Sequence, residues 1–249
     1  MVGMRRGLLS GNLRRADSAL ATLGLAGMMT LAGCGTIREA TPEATGPVPP
    51  PEAVARPPDL PAIGKWMFDA RHRPAHWLGE LFRGKQLREP INIILVDAVA
   101  RTAEEAKARL VKSCARAGYS IREGHSAGYV GFIDGIAHPQ LPEGGAAAFS
   151  NEPFEVGNNH GRFFGPHAFG DGWVFIGAFS REGVDPVAHV KHRYESFNRA
   201  RDDLAGKLEE STDYRIRDYV DLDNALIGDP ACTTGDHDGI AVLLTASRP

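Results

Sequence analysis

The sequence predicts an α+β domain: a largely antiparallel sheet with two main helices packed on one face, in the order β-α-β-β-β-α-β-β. Three observations carry this reading. The β-branched apolar run Ile91-Asn92-Ile93-Ile94-Leu95-Val96 leads directly into an amphipathic helical pattern. The stretch from Tyr119 to Ser180 is glycine-punctuated and rich in strand-forming residues. A second helical periodicity begins at Asp185 and is followed by two more strand-like runs.

The first run fits a strand buried on both faces. Thr102 then opens a helix, with Glu105 three residues on completing a capping-box pattern. At 100° per residue Ala103, Ala106, Leu110, Cys114 and Ala117 share one stripe, and Gly118 ends the helix. Tyr129 to Ile136 reads as one strand, and His138 to Pro153, rich in Ala, Gly and Pro, as a loop. Asn158–Phe164 and Trp173–Ser180 form a hairpin around Gly170-Asp171-Gly172, with a loop longer than the two-residue minimum. Asp185-Pro186 starts the second helix, whose apolar face is Val187, Val190, Tyr194, Phe197, Leu204 and Leu208. Tyr214–Val220 and Ile240–Thr245 are the last strands.

Ahead of this domain the composition changes twice. Arg5, Arg6, Arg14 and Arg15 precede an apolar run from Ala19 to Leu31, which ends in Leu31-Ala32-Gly33-Cys34. The run is too short for a membrane span, which needs about 20 apolar residues. Basic, apolar and small-residue regions in that order make a signal peptide, and Arg14-Arg15 has no flanking consensus for twin-arginine export. The Leu-Ala-Gly-Cys ending resembles the lipobox of bacterial lipoproteins. That resemblance implies a signal peptide over 1–33 and an acylated Cys34 as the membrane anchor, palmitate among its chains. Gly35 stands where inner-membrane lipoproteins of this kind usually have Asp, which implies the periplasmic face of the outer membrane. Residues 34–61 hold Pro42, Pro47, Pro49, Pro50, Pro51, Pro57, Pro58 and Pro61 and read as an extended tether. Residues 62–249 then form a single periplasmic domain. Cys114 and Cys232 remain, as one disulfide or as two buried thiols.

A net charge of -3 excludes broad electrostatic binding to nucleic acid or anionic lipid. No Walker loop, dinucleotide fingerprint or Gly-x-Ser-x-Gly elbow occurs, so no cofactor is expected and Ser180 has no assignable base. Strand alternation places Asn158, His160 and Arg162 on one side. Amide, imidazole and guanidinium in a row can hold an anion, and Ser180-Arg181-Glu182 on the partner strand can add polar groups. The same row also fits a solvent-facing strand surface. His189 and His192 stand three apart on the second helix, yet its apolar face leaves His192 toward solvent and His189 at the boundary. Three apart is a spacing that metal-ligand pairs can use, but that orientation argues against a shared inward site. No His-Glu-x-x-His or Cys-x-x-Cys pattern occurs, so no metal site is expected. Asp236-His237-Asp238 could coordinate a cation but reads rather as a polar turn.

Together Glu89-Pro90-Ile91-Asn92, His160-Gly161-Arg162, Val174-Phe175-Ile176-Gly177-Ala178-Phe179-Ser180 and His189 resemble the LssY carboxy-terminal domain family of bacterial envelope proteins. The resemblance covers roughly Pro90 to Asp213. It implies an envelope-associated α+β domain without a settled activity, and His160, Arg162, Ser180 and His189 as ligand-binding candidates. The expected function is a membrane-anchored module that binds an anionic small molecule, a glycan or an envelope protein. The alternative is a hydrolase of a phosphate- or carboxylate-bearing envelope component, with His160 as acid or base and Arg162 as anion clamp.

Overall fold

The computed structural model describes residues 49–184, 192–225 and 236–247. The leader, Cys34, His189 and Cys232 lie outside them.

The strands in chain order begin with β1 (Val54–Ala55), β2 (Ile63–Gly64) and β3 (Ile93–Asp97). Helix α1 (Ala103–Arg116) follows, then β4 (Ser120–Arg122), β5 (Val130–Ile133), β6 (Ile136–Leu141) and β7 (Ala148–Ser150). Next come β8 (Asn158–Phe169), β9 (Gly172–Val184), β10 (His192–Ser196), α2 (Phe197–Ser211), β11 (Arg215–Asp221) and β12 (Ile240–Ala246). The fold is α+β, with two α-helices among the described residues and a large antiparallel-rich sheet ordered β1-β2-β5-β6-β8-β9-β3-β12-β11. Strands β3 and β12 pair in parallel. Strand β10 is added to β9 and β7 to β8.

Strand β3 is apolar on both sides because both sides are covered. Ile93 and Leu95 join Leu110 and Cys114 of α1, Leu204 and Leu208 of α2, and Phe163, Phe175 and Phe179 of the long hairpin. Ile94 faces the opposite way, with Phe164, Ile176, Ile63, Met67 and Ile133. The helices therefore close one face, while the β2–β5 side of the sheet and the chain around Met67 close the other. Asn92, polar within the apolar run, uses its side chain as a peptide group would. Its Nδ2 donates to the Phe179 carbonyl (2.8 Å), and its Oδ1 accepts from the Phe179 amide (3.1 Å).

Helix α1 matches its sequence signals. The Thr102 hydroxyl accepts from the Glu105 amide (3.1 Å), and the Glu105 carboxylate reaches back to the Arg101 amide (2.8 Å). Gly118 follows the helix at φ +80°, a conformation glycine adopts without a Cβ penalty. Cys114 is a fully buried thiol of the helix-side core.

Four expectations are corrected. Residues 129–136 are not one strand: Asp134 and Gly135 both have positive φ and turn β5 into β6 as a two-residue hairpin. The 138–153 segment is not all loop, because β6 continues to Leu141 and β7 pairs with both β4 and β8. The β8–β9 loop is the minimal Gly170-Asp171, since Phe169 pairs with Gly172. The expected helix start at Asp185-Pro186, with Val187 and Val190, lies outside the described residues; within them the second helix begins only at Phe197. His192–Ser196 is a strand paired with β9, in which Tyr194 and Ser196 are buried and Arg193 and Glu195 exposed. That period of two outranks the helical spacing of Tyr194 and Phe197. Ser196 caps the helix by accepting from the Arg199 amide (3.0 Å).

Candidate functional site

The open end of the β8–β9 hairpin carries the polar row. Asn158 lies opposite Glu182, His160 opposite Ser180, and Arg162 opposite Ala178. Directly opposed residues of an antiparallel pair share a face, so all of these side chains emerge on one side. Gly161 between them is required by close approach. A Cβ there would lie 2.2 Å from the Ala178 carbonyl oxygen and 2.5 Å from the Phe179 ring.

This row is not solvent-facing. His160, Arg162 and Glu182 line a cavity of about 500 Å³ together with Trp77, Glu89, His125, Ser126, Tyr129, Phe154 and His192. Trp77 and Glu89 come from the chain before β3, and His125 and Ser126 from the turn after β4. Glu89 is held in place by its backbone, which donates to Ala75 and accepts from Met67.

Glu182 is the hub. Its Oε1 accepts from the Trp77 indole (2.6 Å), and its Oε2 from His192 Nδ1 (2.7 Å). Burial works against its charge, but His160 and the bonds from His192 and Trp77 outweigh it, and the carboxyl is held down at about 2. His160 Nδ1 bonds to Asn158 Oδ1 (2.7 Å), whose amide nitrogen donates to the Val156 carbonyl. Nδ1 of His160 is therefore the donor. Its Nε2 stands 3.5 Å from Glu182 Oε1. Burial draws His160 down to about 4, with Glu182 opposing, so the neutral ring turns a lone pair toward a carboxylate. A donor placed between the two would be held by both. His125 stacks on His160 with ring centroids 4.5 Å apart, and burial and the neighbouring His160 lower it to about 3.

Glu89 is the opposite case. No hydrogen bond from the described residues reaches its side chain. Burial, reinforced by the Glu182 charge and opposed by Arg162, pushes it up to about 8. Arg162 donates from Nη2 to the Ser126 carbonyl (2.6 Å) and lies over the Tyr129 ring at 5.0 Å. Its buried Nε has no partner among the described residues, and neither has the buried Nε2 of His125. The cavity thus offers donors from Arg162 and the protonated Glu89, acceptors around His160, His192 and Glu182, and aromatic walls from Trp77, Tyr129 and Phe154.

Of the residues singled out from sequence, the structure brings His160, Arg162 and Glu182 into this cavity. Ser180 shares their face but is not among the lining residues. His192, expected toward solvent, instead points inward to Glu182, because it belongs to a strand and not to a helix. Sequence reasoning misses His125, Trp77 and Glu89 as site residues. Glu89 stands in the Glu-Pro-Ile-Asn motif, which is the available signal. Among the described residues no group of three or more His, Cys, Asp or Glu is arranged to hold a metal ion, and no helix is long and apolar enough to cross a membrane. No protein-family profile, curated protein or solved structure matches the chain.

Proposed function

We propose that the chain is an envelope lipoprotein, acylated at Cys34 and held at the periplasmic face of the outer membrane. Its domain, of the LssY carboxy-terminal type, binds a small hydroxylated oxyanion such as an acidic sugar. The anchor and the family rest on the sequence motifs. The ligand class rests on one observation: Arg162, with its buried Nε unpartnered among the described residues, lines an aromatic-walled cavity that also holds a cluster of hydrogen-bond acceptors. A guanidinium edge recognises a carboxylate or phosphate through paired donors. The acceptors in the same cavity suit hydroxyl groups, and aromatic rings suit the apolar faces of a sugar.

Hydrolysis is a second reading, favoured by the His192 pair with Glu182. The carboxylate accepts from His192 Nδ1, so Nε2 of this cavity-lining ring is the nitrogen that would act as general base. His160 is the poorer base, since its proton-bearing nitrogen is committed to Asn158 and its other nitrogen faces Glu182.

Calorimetry on the full-length chain in detergent, comparing glucuronate with glucose, tests the binding reading. Preferential binding of glucuronate, lost in Arg162→Met, is the expected result. Equal affinity for the two sugars, or binding unaffected by Arg162→Met, overturns it. Release of 4-nitrophenol from its glucuronide, abolished in His192→Gln, would favour hydrolysis.

A further inference from the structure

The uncommitted groups of the cavity do not all have the same meaning. A buried polar atom without a partner costs stability, so unpartnered atoms on several residues that line one cavity mark where a ligand or ordered water completes the bonding. Arg162 Nε can only donate. The Glu89 carboxyl donates if it carries its proton and only accepts if it does not. Its surroundings decide between the two. It has no hydrogen-bond donor among the described residues, it is buried, and Glu182 bears a negative charge across the same cavity. Glu182 by contrast is satisfied by Trp77 and His192 and stays ionised. One cavity therefore holds two carboxyls in opposite states, set by donors given to one and withheld from the other.

We propose that Glu89 enters the site as a carboxylic acid and, with Arg162, forms a two-donor cradle for a single oxyanion, so that ligand and proton are held together. This rests on the oxyanion reading above and adds its linkage to protons. If Glu89 ionises, the cradle presents a carboxylate to the anion, and the donor becomes a repelling acceptor. A bound anion in turn favours the protonated acid, so above the point where free Glu89 ionises, at about 8, binding takes up a proton. The other titratable groups facing the cavity are Glu80, His125, Tyr129, His160, Glu182 and His192. Glutamine at position 89 separates their contribution from that of Glu89, because its amide donates at every pH.

The test is calorimetry of inorganic sulfate binding to the full-length chain between pH 7 and 9, in two buffers of different ionisation heat. Sulfate keeps a constant charge over that range. The wild type is expected to lose roughly tenfold in affinity across it, with close to one proton taken up per sulfate at pH 9. Glu89→Gln is expected to bind within a few-fold of the wild type at pH 7 and to lose both the pH dependence and the proton uptake. Equal wild-type affinity at pH 7 and 9, or an unchanged pH dependence in Glu89→Gln, overturns the proton cradle while leaving an anion site. Absence of both sulfate and glucuronate binding at every pH overturns the anion reading and the cradle with it.

Discussion

The β8–β9 hairpin is one antiparallel pair, with a register shift between Phe164 and His167, and has two unlike halves. Toward the turn, Phe163, Phe164, Phe175 and Ile176 are fully buried in the apolar clusters on the two faces of the sheet. Toward the open end, His160, Arg162, Ser180 and Glu182 are almost as inaccessible, yet polar. Burial does not separate the halves; what lies opposite does. The turn half meets helices and an apolar sheet layer, whereas the open half meets a cavity and the polar groups of other loops. Apolar burial stabilises at about 25 cal/mol per Å², while buried polar groups left short of partners act against the fold. The open half is therefore the part of the hairpin whose composition stability alone does not explain.

The largest expected effect breaks the turn half. Phe175→Ala removes a fully buried ring and should cost about 3–5 kcal/mol in urea unfolding, with sulfate affinity little changed in the molecules that remain folded. Glu182→Ala at the other end leaves the Trp77 indole and His192 Nδ1 without their acceptor, for about 2 kcal/mol, and should cost at least tenfold in ligand affinity. The comparison fails if the two substitutions exchange effects, with Phe175→Ala abolishing binding and Glu182→Ala sparing it.

A second prediction sharpens the contrast through pH. Glu89 has a folded value near 8 against an ordinary 4.5, so the native state holds a proton that the unfolded chain releases between those limits. Its contribution makes the fold less stable as pH rises from about 4.5 to 8 and is level above that. The buried imidazoles act in the opposite sense. His160, near 4 when folded against 6.5, makes the fold less stable as pH falls from about 6.5 to 4. Glu89→Gln should therefore gain on the wild type steadily from pH 5 to 8, whereas the deficit of Phe175→Ala should stay flat, since that ring titrates nothing. Urea midpoints at pH 5, 6.5, 8 and 9 decide it, and a flat Glu89→Gln difference would sink the assignment of Glu89 as the protonated carboxyl.

Local structure is legible in the sequence, and the cavity only half so. Strand β3, α1 and the existence of the long hairpin follow from periodicity and caps, which act within a few residues of chain. The Asp134-Gly135 turn is equally local, but the apolar residues on either side make the run look continuous. What cannot be read locally is convergence. His160 and Arg162 stand out by alternation along one strand, but Trp77, Glu89 and His125 arrive from loops distant in the chain, and nothing in their spacing announces a shared site. His192 shows the same limit in reverse: a helix started at Asp185 turns an inward residue outward, because Tyr194 and Phe197 satisfy a helical spacing as readily as Tyr194 and Ser196 satisfy that of a strand.

The smallest expected effect compares two helix caps, one near each kind of region. Thr102 caps α1 on the apolar side of the sheet, and its hydroxyl accepts from the Glu105 amide. Ser196 caps α2, but it is also the last residue of β10, the strand that carries His192 to Glu182. Its hydroxyl both accepts from the Arg199 amide and donates to Asp236 Oδ2 (2.7 Å). Alanine at either position should cost about 1 kcal/mol by loss of the cap. Only Ser196→Ala also frees the end of β10, so it alone should weaken sulfate binding, by a few-fold. Equal stability losses with unequal binding losses would show that the site depends on how β10 is anchored. Equal effects on binding would mean that β10 is held by its ladder with β9 alone.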